Sequence, residues 1–320
     1  MRTLVDNLSY IGGVLPRENA TSFLSIPTYD GSGQLLHPDI ADCGVSGFEG
    51  YRYWMTATPY PGNDDDYENP SVWASNDLEN WVVPDGLVNP IVETPVADEF
   101  FNSDPTITFN SDDNKLVVFY RKSLDFNGND SIRMTESSDG ITWSASQEVL
   151  SFSLDKTVSP QAYYDPSGQS YSLWAIKHEG SSGAFKRIVK YTSIDGVTFS
   201  SPTNVTVNYS KAFIPWHFNI KKVGNRFVGC VATFNSGGNS ADDSKLHLIV
   251  SENPQGTEFS IDNDFFLEDS NSTRWDGSSL YQSCLILKDG VYVLVYSGIY
   301  NGGPAVNRLG KIESTTRTTV

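Results

Sequence analysis

The sequence predicts an all-β chain, a single five-bladed β-propeller, and three observations predict it. A turn-plus-aromatic segment recurs roughly every 60 residues. An apolar strand precedes each copy. A third segment, often opening with proline, comes earlier still. No long stretch carries a helical period, and Gly, Pro, Asn, Asp and Ser are frequent, as turn-rich β-chains require.

The turn segment reads SNDLENW at Ser75–Trp81, SSDGITW at Ser137–Trp143 and SIDGVTF at Ser193–Phe199, with a looser SENPQGTEF at Ser251–Phe259. Asp-Gly between β-rich runs signals a tight turn. The aromatic that follows, Trp81, Trp143, Phe199 or Phe259, is expected to pack between blades. The apolar strands start at Tyr51, Lys115, Ser170, Arg226 and Val291. The earlier segments are HPDIADCG, SDPTITFN, VSPQAYYD, IPWHFNIKK and GSSLYQSCLILKD, from His37, Ser103, Val158, Ile214 and Gly277. These three elements make five blades across residues 21–320. The fifth blade runs out of chain after NRLGKIEST, and SFLSIPTYDG near Ser22 is expected to supply its last strand and so cover the sheet edge. Residues 1–20 are read as an arm or linker.

Composition narrows the function. The formal net charge is -17, which repels phosphate backbones and anionic membranes, so neither nucleic acid nor membrane is an expected partner. A neutral sugar surface is not repelled. The three cysteines, Cys43, Cys230 and Cys284, match no metal spacing and no disulfide framework. The opening MRTLVDNLSYIGGVLP lacks the charged and apolar segments of a secretory signal. Synthesis in a cytoplasm is therefore expected.

Two sets of loops open on one propeller face: those entering the innermost strands, and those joining second to third strands. The latter are long and rich in Asn, Asp, Gly and Tyr, whereas turns on the other face are tight. Long polar loops on a rigid scaffold are where binding sites are found. Asp39, Asp104, Gln161, His217 and Tyr281 are placed at this mouth, with Trp216, Trp275 and Asp276 beside them. Tyr60, Glu68 and Asn69 come from the first long loop, and Arg121 from the end of the second apolar strand. Aromatic rings and carboxylates together suit sugars, whose ring faces stack and whose hydroxyls take bidentate hydrogen bonds. Asp64–Asp66 could hold calcium but lacks the spacing of a known loop, and no metal is expected.

The HPD and DP openings on five blades resemble the five-bladed propeller glycoside hydrolases. That resemblance implies Asp39 as base or nucleophile and Asp104, before Pro105, as orienting carboxylate. The acid such enzymes use has no counterpart at the later openings, leaving Glu68 or His217 for the part. Residues 37–84, with His37-Pro38, YRYWMTATPYP and YENPSVWASNDLENW, also resemble the propeller domain of staphylococcal-type bacteriophage tail receptor-binding proteins. This second resemblance implies a non-catalytic adsorption protein on a virion tail, assembled with other tail proteins as a homotrimer and binding host cell-surface glycan. The two readings are adsorption first and glycoside hydrolysis as the alternative.

Overall fold

A computed structural model describes residues 23–95, 100–123, 129–152, 156–179, 185–208, 213–235, 244–262, 274–300 and 302–314. The arm expected over residues 1–20 lies outside them. The chain is all-β, a five-bladed β-propeller. Its blades are five sheets, antiparallel apart from one short parallel pair at the edge of one of them, and the chain divides into two compact units.

The unit Ser25–Thr203 holds three blades. The first is β1 (Leu35–Asp42), β2 (Tyr53–Pro59) and β3 (Ser71–Ser75). The second is β4 (Phe101–Asn110), β5 (Lys115–Ser123), β6 (Asp130–Ser137) and β7 (Gln147–Phe152). The third is β8 (Lys156–Asp165), β9 (Ser170–Glu179) and β10 (Phe185–Ser193), edged by β11 (Thr203–Asn204). Near-continuous apolar runs in the second strands fit burial on both faces. Trp54, Val72, Ile107, Leu116 and Val118 form one core. Val117, Phe119, Ile132, Leu173 and Val189 form the next.

The other unit holds β12 (Thr206–Asn208), β13 (Phe213–Val223), β14 (Arg226–Asn235), β15 (Lys245–Ser251) and β16 (Glu258–Ile261) in one sheet. A second sheet is β17 (Ser279–Lys288), β18 (Val291–Tyr300) and β19 (Val306–Glu313). The strand expected near Ser22 is reduced to a bridge: Phe23 pairs with Gly310, and the Leu24 N–H donates to Leu309 O at 2.8 Å. The core here is Val228, Leu246, Leu248, Leu285, Leu294 and Tyr296.

The recurring turn has one construction. Ser75, Ser137 and Ser193 each donate a hydroxyl to the Asp two residues on, at 3.0, 2.9 and 2.8 Å. Asp77, Asp139 and Asp195 in turn accept the N–H groups two and three residues on, at 2.7 to 2.9 Å. The turn glycine has φ near 70° at Gly140 and 75° at Gly196, the left-handed region glycine takes at no steric cost.

Every innermost strand carries a β-bulge. The register slips between Leu36 and Asp39, Ser103 and Thr106, Val158 and Gln161, Pro215 and His217, and Leu280 and Ser283. Bulges re-aim side chains beside functional sites. In the first three blades the re-aimed residue is the one before proline: His37, Asp104 and Ser159, with φ of 58°, 48° and 54°. Left-handed backbone at non-glycine residues is costly and concentrates where structure serves function.

Candidate active site

The three bulges of the larger unit bring ionisable groups together. His37 Nε2 lies 3.3 Å from Asp104 Oδ1, and His37 Nδ1 lies 3.2 Å from Glu68 Oε1 and 2.9 Å from Thr58 Oγ1. One buried imidazole thus has a carboxylate on each nitrogen. Asp104 is braced from behind by the Ser159 N–H, which donates to Oδ2 at 3.0 Å. Arg121 stands behind the group, its charge felt by His37, while its guanidinium grips Asp130 in a fork with two bonds of 3.1 Å.

The electrostatics follow from burial. Desolvation works against a charged His37, but Asp104 and then Glu68 outweigh it, so its pKa is raised. Burial is also the main effect on Glu68 and raises its pKa, with His37 pulling the other way. The two groups are therefore electrostatically coupled, each shifting the other.

Glu68 reaches His37 from the loop between β2 and β3. Two 3-10 turns, Pro61–Asn63 and Asp65–Tyr67, shape that loop, and Asp64 caps the second by accepting from Asp66 N at 3.1 Å. Tyr60 donates its hydroxyl to Asp65 at 2.7 Å. Asn69 is buried, and its amide holds the loop: Nδ2 donates to Asp66 O at 3.2 Å, and Oδ1 accepts from Asn102 at 2.9 Å.

Several expected site residues have other work. Asp39 is 0% exposed. It accepts from Thr106 Oγ1 at 2.7 Å, Ile107 N at 2.8 Å and Ile40 N at 3.0 Å. Its oxygens are engaged by these three donors, and it stitches β1 to β4. The same seam continues where Thr106 Oγ1 accepts from Ala162 N at 3.0 Å. His37, which the sequence reading passed over, holds the bulge position that Asp104 holds in the next blade. Asn69 and Arg121 are buried and hold internal partners. Gln161 is buried and donates to Pro160 O at 2.7 Å. Glu68 and Asp104 do lie in the cluster.

In the smaller unit, Trp216 and Tyr281 sit in the bulges of β13 and β17. The Trp216 indole donates to the Tyr281 oxygen at 2.6 Å, and the Tyr281 ring lies 4.4 Å from that of His217. This is a half-buried aromatic cluster. Asp276 is fully buried, accepting from Arg274 Nε at 3.2 Å and from the Tyr296 hydroxyl at 3.0 Å. Trp275 stacks on Tyr296 at 5.5 Å. Neither is free to meet a ligand as the sequence reading expected; both brace β18. The three cysteines are buried and unbridged, and burial pushes the Cys43 thiol up to about 12, which suits packing and not nucleophilic chemistry.

No protein-family model matches the chain. A curated relative, the A type blood N-acetyl-alpha-D-galactosamine deacetylase of Flavonifractor plautii, is 26% identical over 300 residues, covering 80% of this chain. The chain spans 38% of that protein's length. Among solved structures, an N-acetylgalactosamine deacetylase from F. plautii in complex with blood group B trisaccharide matches with a TM-score of 0.82 at 23% identity, over 92% of this chain and 94% of that one. A glycoside hydrolase matches with a TM-score of 0.66 at 13% identity, over 100% and 98%. The likeness is to carbohydrate-active propeller enzymes.

This corrects the first reading. The expectation of a protein without chemistry is overturned by the deacetylase relative, and the likeness to phage tail proteins finds no support among these matches. The likeness to propeller glycoside hydrolases is supported at the level of fold.

Proposed function

We propose that this chain is a glycan-acting hydrolase that removes the acetyl group from an N-acetylhexosamine. The observation that carries the reading is His37 held between Glu68 and Asp104. Amide hydrolysis needs a base for the attacking water and a proton for the departing nitrogen. Glu68 takes the proton from water as oxygen attacks the amide carbon. The protonated Glu68 then gives that proton to the nitrogen as the carbon–nitrogen bond breaks, leaving acetate and the free amine. His37, with Nδ1 on Glu68 and Nε2 on Asp104, stays protonated and positions Glu68 for both transfers. Asp104 keeps the imidazole charged and oriented. The relative that acts on N-acetylgalactosamine supports this substrate class.

Glycoside hydrolysis is the second reading, favoured by the two carboxylates of the site. Such enzymes place their carboxyl groups on either side of the scissile bond, about 5 to 10 Å apart. Here an imidazole fills the space between Glu68 and Asp104, which favours the amide reaction. The test is to incubate the protein with glycans ending in N-acetylgalactosamine or N-acetylglucosamine, and to measure acetate and reducing sugar in the same tubes. Acetate without sugar, lost in His37→Ala, is the expected result. Sugar without acetate moves the assignment to the second reading, and neither product on any glycan ends both.

A further inference from the structure

Beside the buried cluster stand two tyrosines that the chemistry above does not use. Tyr67 and Tyr29 keep 39% and 36% of their surface in solvent, although Tyr67 adjoins Glu68 in sequence and Glu68 is buried. Aromatic rings left in water beside a buried ionic site call for an account. The Tyr29 side chain and the Tyr67 backbone are also held in place. The Tyr29 hydroxyl donates to Tyr67 O at 2.8 Å and lies 3.4 Å from Asn69 Nδ2. Tyr67 closes the capped 3-10 turn, its N–H donating to Asp64 O at 3.3 Å. The segment leading to Tyr29 is pinned where Trp73 Nε1 donates to Pro27 O at 2.7 Å. The phenols share one patch: burial is the main cause raising the Tyr29 pKa, and Tyr67 is among the groups that add to it.

We propose that Tyr67 and Tyr29 form a stacking platform for a pyranose ring, one sugar beyond the residue whose acetyl group reaches Glu68. This rests on the glycan-hydrolase reading and deepens it, because it makes the site select an oligosaccharide over a single sugar. A sugar presents an apolar face of C–H groups that packs on an aromatic ring, and each such contact contributes modestly beyond its buried area. A Tyr29 ring tied through its hydroxyl and a Tyr67 backbone held in a capped turn lose less freedom on binding, so more of the contact appears as affinity. The hydroxyl of Tyr29 is committed to the loop, which leaves its ring face, not its oxygen, for the ligand.

The experiment compares binding and turnover of two probes, methyl N-acetyl-α-galactosaminide and a trisaccharide ending in the same sugar. Wild-type protein, Tyr67→Ala and Tyr67→Phe are compared by calorimetry and by steady-state kinetics. In Tyr67→Ala the Kd and KM for the trisaccharide are expected to rise roughly tenfold more than those for the single sugar, with kcat for the trisaccharide changing much less than KM. Tyr67→Phe keeps the ring and is expected to restore most of the affinity, which also shows that the loop is intact. Equal losses on both probes, or no loss on either, overturn the platform. Wild-type protein that binds the trisaccharide no more tightly than the single sugar overturns it too, while turnover of the single sugar leaves the catalytic reading standing. If wild-type protein neither binds nor turns over either probe, both readings fall.

Discussion

The carboxylate of Asp104 faces two ways, one oxygen on the Ser159 N–H and the other on His37 Nε2. Its charge raises the His37 pKa, so Asp104→Asn lowers it. His37 is then deprotonated at a lower pH, and the alkaline limb of the pH–rate profile moves down, as does the imidazole titration followed by NMR. An unmoved titration would remove Asp104 from the site. His37→Ala is expected to reduce kcat by roughly 10² to 10⁴, read from acetate release. Asp39 behaves differently. Asp39→Ala strands the Thr106 hydroxyl and the Ile107 N–H and is expected to cost about 1 to 3 kcal/mol in denaturant unfolding, with the pH–rate profile of the surviving fold unshifted. The contrast between these two residues shows why the site was only half legible in the sequence. Strict alternation along HPD would put His37 and Asp39 on one face. The bulge between Leu36 and Asp39 separates them, leaving His37 in the cluster and Asp39 in the seam to β4. A readable signal did exist: His37-Pro38, Asp104-Pro105 and Ser159-Pro160 recur at equivalent places.

At the scale of the element, the Ser-x-Asp turn explains both why the blades were legible and how they fail. Its hydrogen bonds join residues at most three apart, so the signal survives in a short window of sequence. The innermost bulges and the seam from Asp39 to Thr106 to Ala162 depend on residues more than fifty positions apart, which no local pattern records. Backbone N–H groups of Thr142 and Ile141 lower the Asp139 pKa to about 2 from an ordinary 3.8, and Asp77 and Asp195 are also lowered. The sign follows: a depressed carboxylate contributes stability above its ordinary value and loses it as pH falls through the folded value. The melting temperature is therefore expected to fall between about pH 4 and pH 2, and to fall less steeply in Asp139→Asn, which starts lower. Within the same turn, a Cβ on Gly140 would meet Trp54 Cη2 at 2.3 Å, at a φ of +70°. Gly140→Ala must therefore displace a buried indole as well as strain the turn, and it is expected to cost about 1 to 3 kcal/mol.

For the molecule as a whole, the net charge of -17 sets which glycans approach it. The His37 cluster is buried, with two cations, His37 and Arg121, set among three carboxylates, Glu68, Asp104 and Asp130. The excess negative charge therefore acts at longer range, through the surface. A neutral glycan feels no net force from such a field, whereas one bearing sialic or uronic acid is repelled before contact. Repulsion between exposed charges is screened within about 10 Å at 0.1 M salt and about 3 Å at 1 M. The expected pattern is a KM for neutral N-acetylated oligosaccharides that changes little with salt. For an otherwise equal acidic oligosaccharide KM is expected to be higher at low salt and to fall as sodium chloride is added. Steady-state kinetics on such a pair from 0.02 to about 0.5 M salt would show it. An acidic glycan preferred at low salt would mean that a local cationic surface overrides the global field, and residues well outside the His37 cluster would then have to choose the substrate.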